Sequence, residues 1–321
     1  MKKFPKLLTC AAALLLSLQA NAWTNKPVKM LVPAPAGGTM DIVARILADQ
    51  LSAEIGQPVV VDNKPGAGGA IAIQAMTSAP QDGQTIMVTA SNVLTEIPHV
   101  MKTNFDPLKD IKPVATVASA SMVLVGAPNL PAKNVKELIA YAKSKPGTLS
   151  FASYSAGTSS HYAGMILNQK AGLDLQHVPF PGSPPALAQV MGGQIPIMFD
   201  GMATSLPQVK GGKLQIYGVA SKTRSTHLPQ VPTLAEEGLP EIEFGNWIGV
   251  VVSSGVTNDI ADKINAAVLK AAESPKVKTR LVGAGFEPNV ALSAAQLQQS
   301  VRAEFDRNAV IVKNFKIQLN Q

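Results

Sequence analysis

Cysteine is nearly absent: Cys10 is the single one in 321 residues, and it lies inside an apolar leader. Once that leader is removed, the chain can form no internal disulfide and must hold together by packing. Aromatic residues are scarce at 5%, and charged residues make up 15% against 46% hydrophobic. So little charge with so much apolar content excludes a disordered chain and leaves enough surface to bury a large core, with length for two domains. The four histidines, at 99, 161, 177 and 227, have no metal-ligand spacing and no cysteine to help them. GxSxG is missing, and KPGAGGAIA (64–72) completes neither GxGxxG nor GxxxxGK[ST], so it reads as a turn entering a helix. Lys and Arg are scattered rather than gathered in a stripe, which argues against nucleic acid as a partner.

What is present begins with MKKFPKLLTCAAALLLSLQANA: a basic start, an apolar run from Leu7 to Leu18, and small residues at Ala20 and Ala22. That three-part pattern predicts a secretory signal over residues 1–22 with cleavage before Trp23. The apolar run is shorter than the roughly 20 residues that span a bilayer, and no later run reaches that length. Removing Lys2, Lys3 and Lys6 lowers the formal charge of +7 by three, leaving a mildly basic mature chain that favours anionic small molecules.

Short apolar strands alternate with helices along the rest. VKMLVP, VVVDN and TIMVTA read as strands, and DIVARILADQLSAEIG places Ile42, Val43, Ile46, Leu47, Leu51 and Ile55 on one helical face. VLVGAP, NVKELIAYAKSK, LSFASY, HYAGMILNQKAG, LQHVPF, PALAQVMGG, IPIMFD and LQIYGVA continue the pattern. WIGVVVSS and two long helices close it. The alternation predicts an α/β fold of parallel sheets covered by helices. No linker divides the chain, so two lobes would be joined by strands that cross between them, near 123–128 and 247–252. Lobe I would comprise 23–123 and 250–321, and lobe II 124–249, with a hinged cleft between.

Ligands in open α/β sheets sit at the carboxyl ends of strands, where unpaired N–H groups of the next helix attract carboxylate or phosphate. PAPAGGTMD (33–41) fits such a cradle: Gly37 and Gly38 allow close approach, Thr39 caps or donates, and Asp41 turns back to order the loop. A plain capped turn explains the same residues equally well. FASYSAGTSSHYAG (151–164) repeats the pattern in the second proposed lobe. Together the two loops predict a carboxylate held between two helix N-termini, with N–H groups of Gly38 and Gly157 approaching it.

Seven ordered blocks carry a resemblance over nearly the whole mature chain. PAPAGGTMDIVAR, DNKPGAGGAIA, SYSAGTSSHYAG, HVPFPGSPPALAQVMGGQIPIMFD, GGKLQIYGVASKTR, LPQVPTLAEEGLP and NWIGVVVSSG resemble the Bug-type extracytoplasmic receptors of tripartite tricarboxylate transporters. The resemblance implies a type II periplasmic-binding-protein fold, with two doubly wound sheets joined by crossing strands. It also implies a periplasmic location, a small carboxylate ligand, and delivery to an integral membrane permease by a monomer without cofactor or metal. Residue by residue, the first-lobe pincer is Ala36, Gly37, Gly38, Thr39 and Met40, supported by Asp41. The opposing loop is Ala156, Gly157, Thr158 and Ser159, with His161 behind. Pro181, Gly182, Ser183, Phe199 and Asp200 match further cleft positions, and Asn92 is a candidate for the ligand's far end. Gln84, where the family usually has an aromatic residue, and Asn308, where a tryptophan is common, depart from the pattern outside the pincer. Two other readings stay open: a sensor that delivers its closed form to a membrane signalling protein, and an enzyme using Asp200 or His161 as acid or base.

Overall fold

The computed structural model describes residues 23–287 and 292–318; the leader, and with it the cleavage site, lies outside them. From the amino terminus, β1 (Val28–Val32), α1 (Thr39–Ile55), β2 (Val59–Asn63), α2 (Ala70–Thr77), β3 (Thr85–Ala90) and α3 (Ser91–Thr95) form the first half of one lobe. The long strand β4 (Ile111–Gly126) then leaves that lobe. The second lobe contains α4 (Val135–Lys143), β5 (Ser150–Ser153), α5 (Ser159–Ala171), β6 (Gln176–Pro179), α6 (Ser183–Met191), β7 (Ile197–Gly201), α7 (Met202–Lys210) and β8 (Gln215–Val219). β9 (Gly245–Ser253) returns to the first lobe, and α8 (Asn258–Glu273), α9 (Pro275–Gly283) and α10 (Ala294–Phe315) follow.

Two sheets share β4. The strand order is β2-β1-β3-β9-β4-β7-β5-β6, with β8 also paired to β4. β1 pairs in parallel with β2 and β3, and β5 in parallel with β6 and β7. The crossing strands run antiparallel to their neighbours, a departure from the all-parallel expectation. The direction follows from topology, because a strand that carries the chain out and one that carries it back must oppose each other. β4 pairs with β9 as far as Ser121, then changes partner at Met122 to β7. Phe244 still bonds to Ala220 of the second lobe, and Gly245 pairs with Ser121. These changes of partner lie just before the expected 123–128 and 247–252 segments.

The amphipathic reading of α1 fits its burial: Val43, Ile46, Leu47, Leu51 and Ile55 face the core, and Gly56 ends the helix in the left-handed region. Residues 111–122 were not expected to be strand, because Pro113, three alanines and two serines carry little β propensity. Here β4 is the edge of the first-lobe sheet, where a proline costs no ladder bond, and its register shifts at Pro113/Ala115 and Thr116/Ala118. The last helix packs against both lobes: Leu297 and Val301 join the first-lobe core, whereas Ile311, Val312 and Phe315 pack on the second.

Candidate functional site

The β1–α1 and β5–α5 loops use the same local device. Gly37 and Gly157 both have φ +77°, which a side chain would strain. In each, the glycine N–H donates to the side chain four residues later: Gly37 to Asp41 Oδ2 at 2.8 Å, and Gly157 to His161 Nδ1 at 3.2 Å. The two acceptors differ in charge. Burial pushes the Asp41 carboxyl up, but bonds from Arg45, Gly37 and Asn63 outweigh it and hold the group below the usual range. Burial, aided by His177 stacked 4.0 Å away, lowers His161 to about 3 and keeps Nδ1 free to accept. Asp41 therefore orders its loop, as the sequence suggested, and His161 does the same work in the other lobe.

The two helix N-termini differ in what remains available. Gly38 N–H bonds to Pro35 O at 3.1 Å, and α1 has no side-chain cap; Thr39 is its first helical residue, not its cap. Among the described residues, no bond engages the N–H groups of Thr39 or Met40, and both residues line the cavity. At α5, by contrast, a buried carboxyl from the first lobe sits at the helix start: Glu96 accepts from Ser159 Oγ at 2.6 and 2.8 Å. The protein supplies its own acid to that terminus. The expectation that Gly38 and Gly157 N–H groups reach the ligand is thus corrected, since both are engaged within their own loops.

Between the lobes lies a cavity of about 370 Å³. Nine expected residues line it: Gly38, Thr39, Met40, Asn92, Ala156, Thr158, Pro181, Gly182 and Ser183. Ala36, Gly37, Asp41, Gly157, Ser159 and His161 lie outside its wall and support the loops. Phe199 is fully buried in the second-lobe core rather than facing the cleft. Asp200 is also fully buried; its carboxyl accepts from Ser183 at 2.6 Å, Thr204 at 2.6 Å and Ser205 at 2.7 Å, tying the starts of α6 and α7 to β7. The lobes meet beside the cavity, where a Cβ on Gly182 would sit 2.3 Å from Pro35 Cγ.

Sequence reasoning missed the Pro65–Gly69 turn, Ser121, Met122, Tyr154, Phe180 and Asn246, all in the wall. The glycines of that turn were the available signal: Gly66, Gly68 and Gly69 all have positive φ and bring bare backbone to the cavity. No Lys, Arg, His, Asp or Glu lines it. An anion entering this cavity is met by backbone N–H groups, hydroxyls and amides, with Met40, Ile97, Met101, Met122 and Ile248 around its apolar parts.

The buried histidines predict acid sensitivity. Burial lowers His177 to about 4 and His161 to about 3, so both ionise more readily in the unfolded chain. Each histidine should withdraw about 1.4 kcal/mol of stability per pH unit below about 6.5 until its folded value is reached. Glu96, raised to about 8, and the raised Glu304 and Asp200 carboxyls act in the opposite sense as pH falls, so the comparison between variants isolates the histidine contribution. Urea midpoints at pH 7, 6 and 5 should show His177→Gln losing less stability toward low pH than the native chain, and an identical profile for the two would refute it.

Residues 43–317 match the family model described as the tripartite tricarboxylate transporter family receptor. The chain belongs to this family. The receptor is 32% identical over 301 residues to Protein BugT of Bordetella pertussis, covering 92% of this chain and 91% of that protein. Among solved structures, R. palustris Rpa4515 with adipate is 28% identical with a TM-score of 0.88, covering 92% of this chain and 99% of that one. MatC from Rhodopseudomonas palustris with bound malate is 31% identical with a TM-score of 0.83, covering 90% and 99%. The receptor thus has the two-lobed fold of periplasmic solute-binding proteins.

Proposed function

We propose that the protein is the exported, monomeric receptor of a three-component uptake system, which captures a small organic acid between its lobes and passes it to a membrane permease. The observation that carries this reading is the α1 N-terminus: two unengaged N–H groups, from Thr39 and Met40, open into an interlobe cavity without charged side chains. A helix N-terminus with free donors attracts a carboxylate, and the volume suits a small molecule. Structures of two relatives hold malate and adipate. Closure would bend the chain where β4 and β9 change partners, at Ser121–Met122 and Phe244–Gly245. Cleavage before Trp23 would leave a tethered start, because Trp23 Nε1 donates to Gly83 O at 2.9 Å.

The test is a thermal-shift panel on the chain from Trp23, using aliphatic and aromatic mono-, di- and tricarboxylates with neutral sugars as controls. An acid at 100 times its Kd should stabilise the fold by about 2.7 kcal/mol. A shift with sugars and none with acids would overturn the assignment.

A further inference from the structure

The cavity has two unlike ends. At the start of α1 the Thr39 hydroxyl lies against β7, where a Cβ on Gly201 would sit 2.7 Å from Thr39 Oγ1, and the unengaged N–H groups of Thr39 and Met40 belong to the same end. The other end is hydrocarbon. It forms where the Pro65–Gly69 turn packs on α3 and the residues after it. A Cβ on Gly69 would lie 2.8 Å from Val93 Cγ1 and 3.3 Å from Pro33 Cβ, and one on Gly68 would lie 3.0 Å from both Cδ1 and Cγ2 of Ile97 and 3.3 Å from Met101 Sδ. Each of these residues lines the cavity. The second lobe abuts the same end, since a Cβ on Gly157 would lie 3.7 Å from Ile97 Cα, and Ala156 beside it joins the wall. Val93 and Ile97 belong to the first-lobe core, with Met40 and Met101 packed against them. The cavity therefore ends on the core itself.

No side chain at that end carries an N–H or O–H. Its polar groups are those of the turn's backbone, where the Gly69 N–H closes on Gly66 O at 2.9 Å and the Ala70 N–H on Ala67 O. Polar side chains elsewhere in the wall are spent on the protein. Ser155 donates to Ala156 O at 3.2 Å, Thr158 to Ser155 O at 2.7 Å and Ser183 to Asp200 at 2.6 Å. Asn246 uses its oxygen on Ser91 and its nitrogen on Ser159, and Asn92 donates to Tyr154 Oη at 3.3 Å. Ser121, whose neighbour Met122 pairs with Gly201, belongs with the α1 end.

We propose that the hydrocarbon end selects the ligand: an acid whose carboxylate meets α1 and whose body is an unsubstituted aliphatic chain or aromatic ring, in preference to acids with a hydroxyl far from the carboxylate. Val93 and Ile97 form the floor of this seat. Met101, partly exposed and with a flexible thioether that fits itself to different bodies, is the specificity-determining side chain. The inference rests on the reading of the cavity as the organic-acid site and narrows that reading by the body of the acid rather than by its charge. A methylene gains by leaving water for such a seat, whereas a hydroxyl buried there forfeits its bonds to water without replacement.

Calorimetry on the chain from Trp23 tests this with seven acids. From propionate through butyrate and pentanoate to hexanoate, Kd should fall about fourfold per added methylene. Pentanoate with 4-hydroxybutyrate, and 4-methylbenzoate with 4-hydroxybenzoate, exchange a methyl for a hydroxyl of similar size, and the methyl member should bind about tenfold more tightly. Met101→Gln, close in size and shape, should flatten the series and shrink both preferences, and Met101→Leu should retain them. Val93→Thr, nearly isosteric, should also shrink the preferences and covers the case of a glutamine variant with a lowered urea midpoint. A Kd indifferent to chain length, hydroxyl members bound as well as methyl members, or preferences unchanged in both Met101→Gln and Val93→Thr would overturn the inference and leave the organic-acid reading standing. Binding of hydroxylated or tricarboxylic acids with none of the seven does the same. If no organic acid binds at all, both readings fall.

Discussion

Gly38→Val should weaken binding of the best organic acid by two to four orders of magnitude while leaving the fold intact. Gly38 has φ −75° and ψ 163°, an extended conformation that valine adopts freely, so the backbone has no reason to change. An added Cβ would lie 3.1 Å from Pro35 O, 3.7 Å from Ala34 Cβ and 4.0 Å from Pro184 Cδ, a fit to which the Pro35 carbonyl must yield by a few tenths of an ångström, and the branched side chain would crowd the cavity wall that Gly38 shares with Thr39 and Met40. Blocking two charge-assisted hydrogen bonds at roughly 1.5 to 3 kcal/mol each gives that loss. Calorimetric Kd beside the urea midpoint separates the two effects. Gly157→Val is the contrasting case, because its Cβ would lie 2.7 Å from Val100 Cγ2 at a φ of +77°. It should destabilise the fold through packing and strain rather than obstruct the ligand.

Asp200→Ala should cost about 2 to 6 kcal/mol of stability, because the Ser183 and Ser205 hydroxyls lose their acceptor at about 1 to 3 kcal/mol each, while Thr204 keeps Gly201 O at 3.0 Å. All three belong to buried residues at the starts of α6 and α7. Asp200→Asn keeps part of the network and should lose less. Denaturant unfolding measures both. If the alanine variant unfolds at the native midpoint, the carboxyl does not hold these helices. The same geometry speaks to the enzyme alternative: a fully buried carboxyl fed by three hydroxyls is a fastening between elements, outside the cavity wall.

Most of the fold was legible because its signals are local. Strand runs such as VVVDN and the one-sided apolar face of α1 follow from periodicity, and the observed elements begin and end within a few residues of them. The first three-quarters of β4 were hidden because alanine, serine and proline gain strand character only from pairing with β9, a contact more than a hundred residues away. The short α3 and α9, with α7, carried no separate signal. In the site, the loop before α1 was readable from its glycines and its carboxyl at the fourth position. The α5 loop looked equivalent, and its backbone is. What distinguishes them is Glu96, a residue without any motif, which reaches across from the first lobe and occupies the second cradle. Long-range occupation of that kind leaves no trace in spacing. Phe199 and Asp200 were placed one layer too near the ligand, because strand alternation cannot tell the cavity side of a strand end from its core side.

The most direct test of the central account is backbone amide NMR of the 15N-labelled chain titrated with the best acid from the panel. If the α1 terminus receives the carboxylate, the Thr39 and Met40 amide protons should move downfield as the acid binds, the signature of new charge-assisted bonds. The Ser159 and Ser160 amides, at a helix start already faced by the buried Glu96 carboxyl, should move little. Large shifts at Ser159 and Ser160 with none at Thr39 and Met40 would contradict the account.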